Sequence, residues 1–168
     1  TSLVDQTHTR LAEDLDINVS SEVSWKTYKN PTREDRNHII GDLKPGILNN
    51  NPVILITVMK NTSHLKNLNL LFSSGIDVEN CKVLIIDDES DQASLNTKAK
   101  AANEYDVSTI YSHIRKMKKT FPNHTYVQYT ATPQAPLFIS LLDILSPSFV
   151  KILTPGDDYT GGKAFFQR

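Results

Sequence analysis

The chain has 168 residues, 22% of them charged, and a formal net charge of -1. That length holds one domain or part of one, and so even a charge balance gives no global pull toward nucleic acid, so any basic surface has to be local. The single cysteine, Cys81, excludes a disulfide framework within the chain and points to a reducing, cytoplasmic setting; no apolar run approaches the roughly 20 residues of a membrane helix, so no membrane partner is expected.

Leu3, Leu11 and Leu15 among polar residues predict an amphipathic helix over about 3–15. The chain opens inside this helix without a methionine and shows no signal peptide, and we read it as part of a larger protein. Residues 18–51 are polar and hold Pro31, Gly41, Pro45, Gly46 and the run Asn49-Asn50-Asn51. They read as an irregular insertion, with a short strand or helix at 36–42 and with Trp25 as a local packing anchor. Val53-Ile54-Leu55-Ile56-Thr57-Val58 reads as a buried strand, and Asn61-Thr62-Ser63 can cap the helix that carries Leu65, Leu68 and Phe72. A second apolar strand, Val83-Leu84-Ile85-Ile86, runs straight into Asp87-Asp88-Glu89-Ser90-Asp91. A polar stretch, 92–106, follows. Ser108 can cap a helix with Ile110, Ile114 and Met117 on one face; Pro122 ends it. Strand 125–129 leads into Thr130-Ala131-Thr132-Pro133 and a helix with Leu137, Phe138, Leu141, Leu142 and Leu145. Residues 149–153 read as a fourth strand before Pro155-Gly156. Strands alternating with helices argue for βαβ units and a mainly parallel sheet with helices on both faces.

Four carboxylates within five positions at the end of a buried strand are costly unless a cation neutralises them. Ligands of open α/β sheets collect at such strand ends, and magnesium with a nucleotide phosphate is the usual cation. On this reading Asp88 holds Mg2+ through water, Glu89 polarises the water that attacks the γ-phosphate, and Asp91 links the site to the next motif. A solvated acidic turn is the bland alternative, and the apolar strand before it favours the functional reading. Thr130 and Thr132 end the next strand, where their hydroxyls can reach the acidic cluster. In isolation Thr132-Pro133 is an ordinary helix entry.

Asp-Glu-x-Asp after one strand and Thr-Ala-Thr after the next resemble motifs II and III of superfamily-two helicases and translocases. The longer strings Ile85-Ile86-Asp87-Asp88-Glu89-Ser90-Asp91-Gln92-Ala93-Ser94, Thr109-Ile110-Tyr111, Tyr129-Thr130-Ala131-Thr132-Pro133-Gln134-Ala135 and Pro155-Gly156, then Tyr159-Thr160-Gly161-Gly162, resemble the Z-one domain family. Those are large bacterial proteins labelled endonucleases and linked with restriction or defence. Gln6-Thr7 and Arg10-Leu11 resemble that family's segment after its first βα unit. The likeness spans most of the chain except 18–51. It implies a three-layer, RecA-like P-loop NTPase fold over 1–168, the incomplete first lobe of a helicase-like motor. It also implies Asp88 and Glu89 as catalytic residues and Asp91, Thr130, Thr132 and Gln134 as coupling residues. Mg2+ and ATP would be the cofactors of the parent protein. DNA, a second RecA-like lobe and an upstream P-loop segment would be its partners. In helicase-like folds the loop after this middle strand faces nucleic acid, which by analogy nominates Lys60 and Asn61 as weak contacts. The family's turn at 159–162 would lie near the nucleotide or the lobe junction.

No G-x-x-x-x-G-K-[ST] string occurs in the chain. Gly156 to Ala164 comes nearest, but its lysine is one place late, Ala164 replaces the hydroxyl residue, and Asp157 and Asp158 would repel a phosphate. The chain alone is therefore expected to bind ATP poorly and to have no motor activity. Arg115, Lys116, Lys118 and Lys119 near a helix C-terminus complement its dipole and fall short of a nucleic-acid footprint. His8, His38, His64, His113 and His124 show no metal-ligand spacing. Two other classes stay open: a non-catalytic scaffold or interaction module, and a Mg2+-dependent endonuclease component using the same carboxylates. Against the latter, neither Glu89-Ser90-Asp91 nor Glu104-Tyr105-Asp106 is followed by the lysine of an acidic-x-Lys triplet.

Overall fold

A computed structural model describes residues 3–19, 23–43, 52–73, 78, 81–92, 109–132, 134, 143–154 and 156. Among them four helices alternate with four strands: α1 (Leu3–Asp14), β1 (Trp25–Lys29), α2 (Arg36–Leu43), β2 (Val53–Thr57), α3 (Thr62–Leu71), β3 (Val83–Asp88), α4 (Thr109–Thr120) and β4 (His124–Tyr129). The class is mixed α/β, and every ladder is parallel. Trp25 to Lys29 of β1 lie opposite Val53 to Thr57 of β2, and Val83 to Asp88 of β3 lie opposite His124 to Tyr129 of β4. Each pair is a βαβ unit whose crossover contains a helix, α2 in the first and α4 in the second. The pairs form two separate two-stranded sheets; no ladder joins β2 to β3 among the described residues.

Two expectations change here. The segment 18–51 is not simply irregular: beside α2, which forms where a short strand or helix is expected at 36–42, it contributes the strand β1. Tyr28 fastens the two, its hydroxyl donating to Asp42 Oδ2 at 2.6 Å. Burial, then that carboxylate, pushes the phenol up to about 12. Residues 149–153 form no strand: they are irregular, and Phe149, Val150, Ile152 and Leu153 are all exposed. An extended apolar stretch becomes a strand only when an edge accepts its backbone, and here none does. Ser108, 93–106, residues 135–142 of the helix expected after Thr132, and 159–162 lie outside the described residues.

Helix α1 closes with a Schellman turn. Asp16 takes a left-handed φ of 48°, its N–H donates to Glu13 O, and the Ile17 N–H donates to Ala12 O. The helix docks on β1 and β2. His8 Nδ1 meets Thr57 Oγ1 at 2.8 Å, and burial, then Lys29, holds the imidazole pKa below its ordinary value. A cleft at the junction of α1 and β1 is lined by residues that include Ala12, Ile17 and Trp25.

Helix α3 starts as its sequence requires. Asn61 is extended, and its side chain accepts the His64 N–H at 3.0 Å. Removing that acceptor in Asn61→Ala is expected to lower stability by about 1 kcal/mol in urea unfolding. Leu65, Leu68 and Leu71 face inward. Leu68, Leu71 and Phe72 join Ile39 of α2 and Phe121 after α4 in one buried cluster, with Tyr28, Ile56 and Val83 packed against it. Leu65 joins Tyr111 and Ile114 of α4 and Leu145 in a second. Buried Asn69 clamps α3 to α4, donating to the His113 carbonyl at 3.0 Å. Residues 143–145 are pinned to α4: Tyr111 OH donates to Asp143 Oδ2 at 2.9 Å, and Lys118 Nζ to Ile144 O at 2.5 Å. Lys118 also stands 4.4 Å over the Tyr126 ring. The helices cover one face of the β3–β4 sheet. The other face leaves Leu84 62%, Ile86 58%, Val127 40% and Tyr129 55% exposed.

Candidate active site

Side chains alternate along β3. Val83, Ile85 and Asp87 turn toward the helices, whereas Leu84, Ile86 and Asp88 turn outward. Asp87 is therefore the carboxylate that must be buried, at 8% exposure, and two donors answer it: Lys60 Nζ at 3.0 Å and Tyr126 OH at 2.5 Å. Burial, then the Asp87 charge, raises the Tyr126 phenol strongly, so it stays a donor. Lys60 also donates to the main-chain carbonyls of Asp88 and Glu89, each at 2.7 Å.

Asp88 and Glu89 are both exposed at the strand end. Glu89 takes a left-handed φ of 49°, and its N–H donates to Asp88 Oδ1 at 2.9 Å. A non-glycine residue in that region is strained, and such strain persists where the surroundings hold it. Ser90 is fully buried in the turn; its N–H bonds Tyr129 O at 3.0 Å, extending the ladder by one step. The Gln92 N–H closes the turn onto Glu89 O at 2.8 Å.

The two strand ends meet through Asp91. Thr130 Oγ1 donates to Asp91 Oδ1 at 2.6 Å, and the Thr132 hydroxyl donates to Asp91 Oδ2. The Thr132 N–H in turn donates to Thr130 Oγ1 at 3.0 Å, which fixes the loop. Those hydroxyls hold the Asp91 carboxyl below the ordinary aspartate value of 3.8. A carboxylate whose folded pKa is depressed adds stability that is present above its unfolded value and lost as pH falls through the folded one. In an NMR titration, Asp91 is expected to protonate below pH 3.8 and to shift back toward it in Thr130→Val/Thr132→Val.

The structure thus brings together Asp88, Glu89, Asp91, Thr130 and Thr132. Gln134 is exposed and takes no part in the Asp91 bonds. Lys60 and Asn61 are placed differently from a free basic contact. The lysine's three N–H groups all go into the acidic turn, and the asparagine side chain caps α3. Asp87 and Tyr126 are the members that motif reading passed over. Strand parity alone signals them, since an inward Asp87 needs a partner and Tyr126 shares its face.

Comparison with family models, with curated proteins and with solved structures yields no match to this chain. The Z-one resemblance therefore rests on the motif strings themselves.

Oxygen donors are what a hard divalent cation takes. Asp88 and Glu89 offer exposed carboxylate oxygens, and magnesium is typically held by one or two carboxylates with waters and substrate phosphates making up the rest. No group of three or more His, Cys, Asp or Glu side chains that could hold a metal ion is found among the described residues. No described helix is long and apolar enough to cross a membrane.

Proposed function

We propose that this chain is part of the first, RecA-like lobe of an ATP-dependent, helicase-like protein acting on DNA in bacterial restriction or defence. The observation that carries the reading is the pair of threonine hydroxyls on Asp91, at the shared end of two paired parallel strands. Phosphoryl transfer asks the protein mostly for positioning and charge neutralisation. Asp88 would hold magnesium through water, supplying charge neutralisation at the transferred phosphate. Glu89 would orient the attacking water. Asp91 would pass the state of that pocket to the segment after β4 through Thr130 and Thr132, with Gln134 further along the same segment. The P-loop and the second lobe would come from the rest of the parent protein, and three-layer closure of the sheet belongs to that assembly.

The test is ATP hydrolysis by the parent protein, with and without DNA, in wild type, Asp88→Asn and Glu89→Gln. Rates unchanged by both substitutions remove the motor reading. A non-catalytic interaction module is the second reading, favoured by the uncovered face of Leu84, Ile86, Val127 and Tyr129; unchanged rates select it.

A further inference from the structure

We propose that Lys60 is the positioning residue of the acidic turn, setting the direction of the Asp88 and Glu89 carboxylates by holding their main-chain carbonyls. The inference deepens the ATP-site reading and rests on it for its catalytic part. An ammonium group has three donors, and Lys60 places all three on the end of β3: Asp87 Oδ1 at 3.0 Å, Asp88 O at 2.7 Å and Glu89 O at 2.7 Å. The two shorter bonds go to carbonyls. A lysine serving only as counter-ion to Asp87 would have no need of them, and Asp87 already has Tyr126 OH as a second donor. A lysine reserved for a phosphate backbone would keep a donor free.

The carbonyls matter because of the conformation they stabilise. Glu89 sits at φ 49°, a region that side-chain-bearing residues avoid. Two convergent carbonyls with no cation between them would repel each other. With the ammonium there, the chain turns sharply after β3, Asp88 and Glu89 stay exposed, and Ser90 returns to the ladder with Tyr129. Lys60 is itself anchored. Asn61 caps α3, the Asn61 N–H bonds Met59 O at 2.8 Å, and the Met59 N–H donates to Asn30 Oδ1 at 2.7 Å. One side chain thus ties the loop after β2 to the turn after β3, where no ladder joins the two strands.

Lys60→Met alone would strand a buried carboxylate and could unfold the protein. The decisive variant is therefore Lys60→Met/Asp87→Asn, in which residue 87 is neutral and can still accept from Tyr126. It is compared in the parent protein with Asp87→Asn, which keeps the ammonium on both carbonyls. Two readouts are used: hydrogen exchange of the segment 88–92, and steady-state ATPase. Expected in the double variant is exchange about tenfold faster across the turn, with β3 still protected. kcat should fall about a hundredfold from misplacement of the carboxylates, while KM for ATP stays within about threefold. Asp87→Asn should retain the turn's protection. A double variant whose turn exchanges like wild type overturns the inference whatever the ATPase does. A loosened turn with kcat unchanged in an active parent overturns the positioning role. A loosened turn in a parent that never hydrolyses ATP upholds Lys60's hold on the turn and rejects the ATP-site reading instead.

Discussion

Glu89→Gln is expected to cut ATP hydrolysis by the parent protein by a factor of about 10² to 10⁴, the range for losing a carboxylate positioned on the attacking water. The substitution keeps the size of the side chain and removes its charge. Glu89 is exposed, and its backbone is held by groups that the change does not touch: its N–H by Asp88 Oδ1 and its carbonyl by Lys60 and the Gln92 N–H. The fold should therefore survive, and circular dichroism should match wild type. On the proposed reading the loss should fall on kcat, because an uncharged amide keeps the size of the side chain but would no longer orient and polarise the attacking water. Asp88→Asn should behave differently, raising the magnesium concentration needed for half-maximal rate. Steady-state phosphate release across a magnesium series separates the two. Wild-type kinetics in both would end the motor interpretation.

The second large effect concerns stability. Leu71→Ala is expected to destabilise the fold by about 2–5 kcal/mol, the usual cost of a truncated leucine in a tight core. Leu71 is only 1% exposed and lies in the cluster of Ile39, Leu68, Phe72 and Phe121. Phe72 and Phe121 meet edge to face there, with ring centroids 5.0 Å apart and planes at 68°. Rings locked in that geometry cannot easily slide into a void, which favours the upper part of the range. The neighbouring Leu70 is exposed, and Leu70→Ala should shift stability by no more than about 0.5 kcal/mol. Urea unfolding of the pair checks both, since their chemistry is identical and only burial differs.

Elements bounded by strong local signals were legible in the sequence. β2, β3 and β4 begin and end within a residue or two of their apolar runs, and the cap of α3 follows from Asn61. β1 was not legible. Trp25-Lys26-Thr27-Tyr28-Lys29 has only Trp25 and Tyr28 half-buried, and what makes it a strand is the parallel ladder to β2. A short strand or helix at 36–42 is expected where α2 stands, but with only Ile39 buried no period could say which. Residues 149–153 had the composition of a strand, but composition does not supply a partner. At the site, the meeting of Asp91 with Thr130 and Thr132 could be expected from two motifs ending adjacent strands. The engagement of Lys60 could not, because it depends on how far the loop after β2 reaches toward a strand with which β2 makes no ladder.

The cluster around Leu71 draws Tyr28 from β1, Ile56 from β2 and Val83 from β3 onto the same few rings and leucines. Among the described residues no backbone ladder crosses the boundary between the two sheets, and side chains carry the contacts across it. The two sheets accordingly share packing that their ladders do not reveal. A version ending before Val83 would strip both that residue and Phe121 from the shared cluster, and is expected to unfold at lower urea than the full chain.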